Sequence, residues 1–194
     1  MSESKKHLKI FTDGGCSGNQ NDENFGGWGA VLQYGRHQKE MSGGERDTTN
    51  NRMELTALLR AFEAITKTGQ EIEVYADSKY LINCFREKWY AGWIKNGWKT
   101  AGKKPVENQD LWKALIPYLE KHKIKFYSVK GHINLNSKKL DFDSLFDDFV
   151  KQNERYFTPD DFKYIIEMNN FADALANKGI ESVKLLEPRV EGDD

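Results

Sequence analysis

Leu8-Lys-Ile-Phe-Thr-Asp13 alternates apolar with polar residues and runs into Gly14-Gly15, which reads as a strand closed by a glycine-rich turn. Gly26 to Tyr34 and Arg36 to Gly43 read as two further strands joined by a short turn around Gly35, so three strands precede any helix. From Asn51 to about Thr66, Met53, Leu55, Leu58, Leu59, Phe62 and Ile65 recur at helical spacing, with Thr48, Thr49 and Asn50 as available caps and Gly69 just past the end. Glu71 to Asp77 then alternates as a strand, Lys79 to Lys88 and Asn108 to Lys121 read as helices, and Ile124 to Val129 reads as a last strand. Phe171 to Gly179 reads as a final helix closed by Gly179. A meander followed by strands alternating with helices is the signature of an α/β mixed sheet.

The length of 194 residues suits one domain, 1–194, with a sizeable core. With 29 Lys+Arg against 30 Asp+Glu there is no bulk basic field, so any nucleic-acid surface must be local. The longest charge-free stretch, Asn24 to Gly35, is far short of the ~20 apolar residues of a membrane span. The polar start Met-Ser-Glu-Ser-Lys-Lys-His leaves no room for the apolar core of a signal peptide, which points to a cytoplasmic protein. Cys16 and Cys84 form neither a disulfide framework nor a zinc-ligand spacing and read as reduced thiols.

Two segments stand apart from the strand–helix alternation. About residues 86–105, Arg86, Lys88, Lys95, Lys99, Lys103 and Lys104 are interleaved with Trp89, Trp93 and Trp98, a basic aromatic patch. About residues 135–168, aspartates alternate with phenylalanines and Thr158-Pro159 reads as the cap and first residue of a helix, so this segment is expected to be a small helical insertion. From Glu187 to Asp194 the tail is short and acidic. Gly97 to Lys103 fits a phosphate-binding loop until Lys104 stands where Ser or Thr is needed, and Asp141-Phe-Asp143 starts a calcium loop that lacks its glycine and closing glutamate.

What remains is a set of carboxylates. Asp13 and Asp77 end predicted strands at the sheet edge where sites assemble, Glu54 is flanked by apolar Met53 and Leu55, and Asp173 is embedded in Phe171-Ala-Asp-Ala-Leu-Ala176. Taken singly they read as turn caps or helix-dipole partners. Crowded together, four hard oxygen donors would repel one another unless Mg²⁺ or Mn²⁺ neutralised them.

Thr12-Asp13-Gly14-Gly15-Cys16-Ser17-Gly18-Asn19, Thr48-Thr-Asn-Asn-Arg-Met-Glu54-Leu, Tyr75-Ala-Asp77-Ser78-Lys-Tyr80, Val129-Lys-Gly131-His132 and Ala172-Asp173-Ala-Leu-Ala176 occur in the order and roughly the spacing of type 1 ribonuclease H, which the chain resembles from about Lys6 to Ile180. The resemblance implies a ribonuclease H-like fold: a mixed five-stranded sheet, three antiparallel strands then two parallel, flanked by helices. It implies an endonuclease that cuts the RNA strand of RNA–DNA hybrids, leaving 5′-phosphate and 3′-hydroxyl ends. Asp13, Glu54, Asp77 and Asp173 would hold two Mg²⁺ ions, with Mn²⁺ able to substitute, and His132 would assist proton transfer or product departure. Gly15, Cys16, Asn19 and Asn51 would meet the RNA minor groove, Thr49 and Asn50 a DNA phosphate, and Trp89, at the start of a basic handle, the DNA sugars. Trp93 and Trp98 read as core supports of that handle. No membrane and no obligate protein partner is implied, and a monomer suffices.

The chain departs from the family pattern twice. Asn170 stands where the family commonly has Glu, three residues before the final Asp, with activity expected to survive but metal affinity or helix-start geometry altered. The loop from His132 to Asp173 is some thirty residues longer than the resemblance implies, and reads either as a solvent-side decoration or as a lid or partner-docking element. A relative acting on another duplex and a non-catalytic hybrid-binding module are the alternative functions; the latter would usually have lost a carboxylate, and all four are present.

Overall fold

The computed structural model describes residues 7–18 and 23–186, so Asn19 and the acidic tail from Glu187 lie outside the described residues. Five strands, β1 (Leu8–Ser17), β2 (Phe25–Tyr34), β3 (His37–Arg46), β4 (Glu71–Ala76) and β5 (Lys123–Ser128), form one sheet in the order β3-β2-β1-β4-β5. β2 is antiparallel to both β1 and β3, whereas β4 is parallel to both β1 and β5. This is the mixed sheet expected from the sequence. Among the described residues the six helices are α1 (Asn50–Glu63), α2 (Lys79–Arg86), α3 (Trp89–Lys95), α4 (Gln109–Lys121), α5 (Phe142–Asn153) and α6 (Pro159–Lys184).

Strand alternation divides the interior in two. Ile10 and Val74 face a core shared with Leu55, Leu58 and Phe62 of α1, Leu81 of α2 and Trp112 of α4. Their neighbours Phe11 and Tyr75 face the opposite core, closed by Phe149, Phe162, Ile165 and Ala172 of α5 and α6. Trp93 and Trp98 of the handle are half-buried, and the Trp93 ring meets fully buried Trp112 edge-on at 5.3 Å, the supporting role expected of them.

Three expectations need correction. β1 does not end in a turn at Gly14: it runs on to Ser17, because Gly14, Gly15 and Cys16 continue the ladder against Trp28, Gly27 and Gly26 of β2. The last helix is not confined to Phe171–Gly179 but is a single 26-residue helix, opened by a capping box between Thr158 and Asp161 with Pro159 in its first turn. Gly179 does not close it. A Cβ there would overlap the Gly43 carbonyl of β3, so this glycine lets the helix lie directly on the strand. Arg86 is exposed with the rest of the basic patch but is not free: its Nε donates to the Phe126 carbonyl at 2.9 Å and its Nη2 to Asn153 Oδ1 at 2.6 Å, bracing β5 to α5.

The segment read as an insertion is load-sharing core rather than a solvent-side decoration. α6 covers β1, β2 and β3, and α5 with its flanking loop covers the remaining face near β5. Phe149 stacks on Phe162 at 4.7 Å and packs on Phe157 at 4.8 Å. In the α5–α6 loop, Arg155 donates to Glu73 of β4 at 2.5 Å and to the Tyr127 hydroxyl at 2.8 Å. Burial pushes the Glu73 carboxyl up, but hydrogen bonds from Arg155, His7 and Tyr75 outweigh it and hold the group below its ordinary value. Replacing Phe162, 1% exposed, by Ala is therefore expected to cost about 3–5 kcal/mol in denaturant unfolding. A cost below about 0.5 kcal/mol, the scale of surface changes, would contradict this placement.

Candidate active site

The parallel pairing of β1 with β4 stops at Thr12 opposite Ala76, so Asp13 and Asp77 each project one residue past that ladder, side by side. Thr49 caps α1 by accepting from Arg52 N at 3.2 Å, and the helix it starts brings Glu54 to the same place. Asp13, Glu54 and Asp77 each present a carboxylate oxygen within 4.8 Å of the others. Asp13 and Glu54 are buried, at 6% and 5% exposure. Among the described residues no Lys or Arg pairs with any of the three.

Burial, then the charge of Asp77, pushes the Asp13 carboxyl up to about 8, against the pull of the Gly14 N–H that donates to it at 2.8 Å. Glu54 is raised well above its ordinary range by burial and by Asp13 and Asp77. Asp77 is raised by burial and by Asp173, less so because His132 lies nearby. Glu54 Oε2 is buried with no hydrogen-bond partner. Hard oxygens that repel each other, one of them unsatisfied and none paired with Lys or Arg among the described residues, fit a divalent cation such as Mg²⁺ or Mn²⁺.

α6 supplies the fourth acid. Asp173 acts electrostatically on both Asp13 and Asp77, and its Oδ2 lies 3.8 Å from Nδ1 of His132, which is 77% exposed. Gly131 just before that histidine is tied to the cluster, since a Cβ there would overlap Asp77 Oδ2.

The other expected residues ring the site at varying remove. The Cys16 N–H donates to Asn50 Oδ1 at 2.7 Å, which ties the end of β1 to the start of α1 beside Gly15. Thr49, Asn50 and Asn51 are exposed on the first turn of α1. Trp89 is 38% exposed on α3, with its Nε1 donating to Glu87 at 2.7 Å and its ring edge-on to Tyr80. Asn19 lies outside the described residues.

Two amides on α6, Asn169 and Asn177, escaped the sequence reading, and a third, Asn170, entered it only as a departure from the family pattern. Asn169 is 1% exposed and hydrogen-bonds Asp77, Asn170 donates to the Ile133 carbonyl at 2.8 Å, and Asn177 donates to Asp173 Oδ1 at 3.2 Å. The available signal was the i−4 and i+4 spacing of Asn169 and Asn177 from Asp173: Asn177 falls within the helix expected over Phe171–Gly179, whereas Asn169 joins the acid's face only because the helix starts well before Phe171. Asn170 lies well inside α6, so helix-start geometry is not what it alters.

A sequence model of the RNase H family matches residues 5–151. A ribonuclease H of Syntrophomonas wolfei is 55% identical over 127 residues, 66% of this chain and 85% of its own length. That of Acetivibrio thermocellus is 47% identical over 150 residues, 77% of this chain and 99% of its own. Among solved structures, LC9-RNase H1, a type 1 RNase H with the type 2 active-site motif, superposes with a TM-score of 0.67 at 23% identity over 94% of this chain and 75% of its own. LC11-RNase H1 in complex with RNA/DNA hybrid gives 0.53 at 18% identity over 91% and 99%. At these identities the structural likenesses speak for the fold. Asp173 lies beyond the family-matched span, and it is α6 that carries it to the other acids.

An acid whose pKa rises on folding contributes stability that is fully present below its unfolded value and lost as pH rises through its folded value. For Asp13 that window runs from about 4 to about 8. Without divalent cation, Asp13→Asn is therefore expected to gain in Tm relative to the parent as pH rises through this window, and saturating cation is expected to narrow the gap. A Tm difference independent of pH would contradict the burial of Asp13. Gly131→Ala is expected to leave the protein folded but cut turnover by about 10²-fold through displacement of Asp77; wild-type turnover would show that Asp77 tolerates the contact.

Proposed function

The chain belongs to the ribonuclease H family, and from that premise we infer that its carboxylate cluster hydrolyses the RNA strand of RNA–DNA hybrids endonucleolytically. The observation that carries this reading is the set of three carboxylates within 4.8 Å, two of them buried and none paired with Lys or Arg among the described residues. Asp13, Glu54, Asp77 and Asp173 would hold two divalent ions, Mg²⁺ with Mn²⁺ able to substitute. Bound there, such ions supply neutralisation of the acids, a more nucleophilic water and relief of charge on the departing 3′ oxygen.

The protein's own groups do the rest. Asp13 and Glu54, fixed by β1 and α1, orient rather than transfer protons, since neither reaches solvent freely. His132 presents Nδ1 to Asp173 at 3.8 Å, which leaves Nε2 to handle the proton of the leaving 3′ oxygen. Water attacks phosphorus, the P–O3′ bond breaks, and the products carry 5′-phosphate and 3′-hydroxyl ends.

Gly15, Cys16, Asn19 and Asn51 would meet the 2′-hydroxyls of the RNA strand, which only RNA offers. Because the Cys16 N–H is committed to Asn50, the Gly15 backbone and the exposed Asn51 side chain are better placed for this than the Cys16 N–H. Thr49, Asn50 and Trp89, with the lysines of the handle at about 86–105, would hold the DNA strand through phosphate and sugar, making binding salt-sensitive and largely sequence-independent. In this reading the chain is one domain, monomeric and cytoplasmic; its two unpaired cysteines support the last, and no helix among the described residues is long and apolar enough to cross a membrane.

The test is cleavage of a labelled RNA strand in a hybrid with Mg²⁺, beside EDTA, RNA–RNA and DNA–DNA controls. Cutting of the hybrid alone is expected, lost with EDTA and reduced by about 10²-fold or more in Asp77→Asn. Tight hybrid binding without cutting in Mg²⁺ or Mn²⁺ would instead make the chain a binding module.

A further inference from the structure

Asn170 occupies the position at which the family commonly carries glutamate, and it makes a bond that a carboxylate cannot. Its Nδ2 donates to the Ile133 carbonyl at 2.8 Å, linking α6 to the loop that carries His132. Besides the seating of Gly131 against Asp77 and of the Ile133 side chain in the core, this is the bond that ties the loop's backbone to α6. His132 has a left-handed backbone, φ 55°, an unfavourable conformation for a non-glycine residue that persists only where neighbours enforce it. Its side chain is 77% exposed and touches Asp173 at 3.8 Å. A cavity of about 430 Å³ opens between His132–Asn136 and the Glu167 and Asn170 side of α6, so packing leaves the loop room to move there. The Ile133 side chain, 5% exposed, enters the core beneath α6, and its carbonyl is caught by Asn170.

We propose that Asn170 is a positioning residue that sets the reach of His132 over the site by clamping the Ile133 carbonyl to α6. Asn170 and Asp173 are three residues apart on one helix and therefore on adjoining parts of one face. One rigid helix thus fixes both the carboxylate and the loop whose imidazole must approach it. A glutamate at 170 would bring an acceptor to an acceptor and release the loop. The inference rests on the reading that His132 moves a proton in catalysis.

The experiment is steady-state and single-turnover cleavage of a hybrid in Mg²⁺ by the parent, Asn170→Ala, Asn170→Gln, His132→Ala and the double variant His132→Ala with Asn170→Ala. Asn170→Ala is expected to lower kcat by about 10-fold, with KM and the Mg²⁺ dependence unchanged within about twofold. Asn170→Gln, which keeps an amide donor, is expected to recover part of the loss. In the His132→Ala background, removal of Asn170 is expected to cost nothing more, because both changes act on one group. Amide hydrogen exchange at residues 131–135 is expected to quicken in Asn170→Ala, which reports the clamp independently of proton transfer. Wild-type kcat for Asn170→Ala, an undiminished loss in the His132→Ala background, a shifted Mg²⁺ requirement or unchanged exchange would each overturn the clamp. His132→Ala cleaving at the parent rate with quickened exchange in Asn170→Ala would overturn the proton-transfer reading beneath it, and with it the catalytic role of Asn170.

Discussion

Mutual repulsion among buried carboxylates is the constraint around which this molecule is built. Asp13, Glu54 and Asp77 converge within 4.8 Å on the edge of the parallel half of the sheet, and burial and proximity both act against ionising them together. A site of this kind is held by scaffold stiffness rather than by its own attractions. The stiffness comes from β1, which is paired on both sides, and from helices seated so closely that glycine is the only residue that fits at several contacts.

The two faces of the sheet contribute differently. One is closed by α1, α2 and α4, and α1 delivers Glu54. The other is closed by α6 together with α5, and α6 delivers Asp173 along with three amides directed at Asp77, the Ile133 carbonyl and Asp173 itself. The residues between His132 and Asp173 are thus not an ornament on the loop that carries His132. Their phenylalanines and the Arg155–Glu73 pair complete the second core, so the long α6 is anchored at its start as well as along its length.

Local signals carried much of this into the sequence. Alternation marked β1 and β4, the short turn around Gly35 marked β2 and β3, helical spacing marked α1, and the Thr158-Pro159 start of α6 was legible because a cap and a first-turn proline are local devices. The acids were legible as anomalies: carboxylates among apolar residues at Glu54 and Asp173, and at strand ends at Asp13 and Asp77. The rest depended on partners far away in the chain. Nothing near Arg86 indicates that it will bond Asn153, 67 residues on, and Glu73 gives no local sign of Arg155, 82 residues on. The continuation of β1 through two glycines was hidden because its reason lies in the glycines of β2.

Proton release on cation binding tests the central claim most directly. If Asp13 is protonated near neutral pH because burial and repulsion hold its pKa up to about 8, with Glu54 shifted in the same direction, a divalent cation must displace protons as it binds. Calorimetric titration of Mg²⁺ into the protein near pH 7, in two buffers of different ionisation enthalpy, counts them. The account predicts saturable binding with net proton release that diminishes as pH is raised above about 8 and falls in Asp13→Asn. Saturable binding with no proton release near pH 7, or no binding at all, would contradict it.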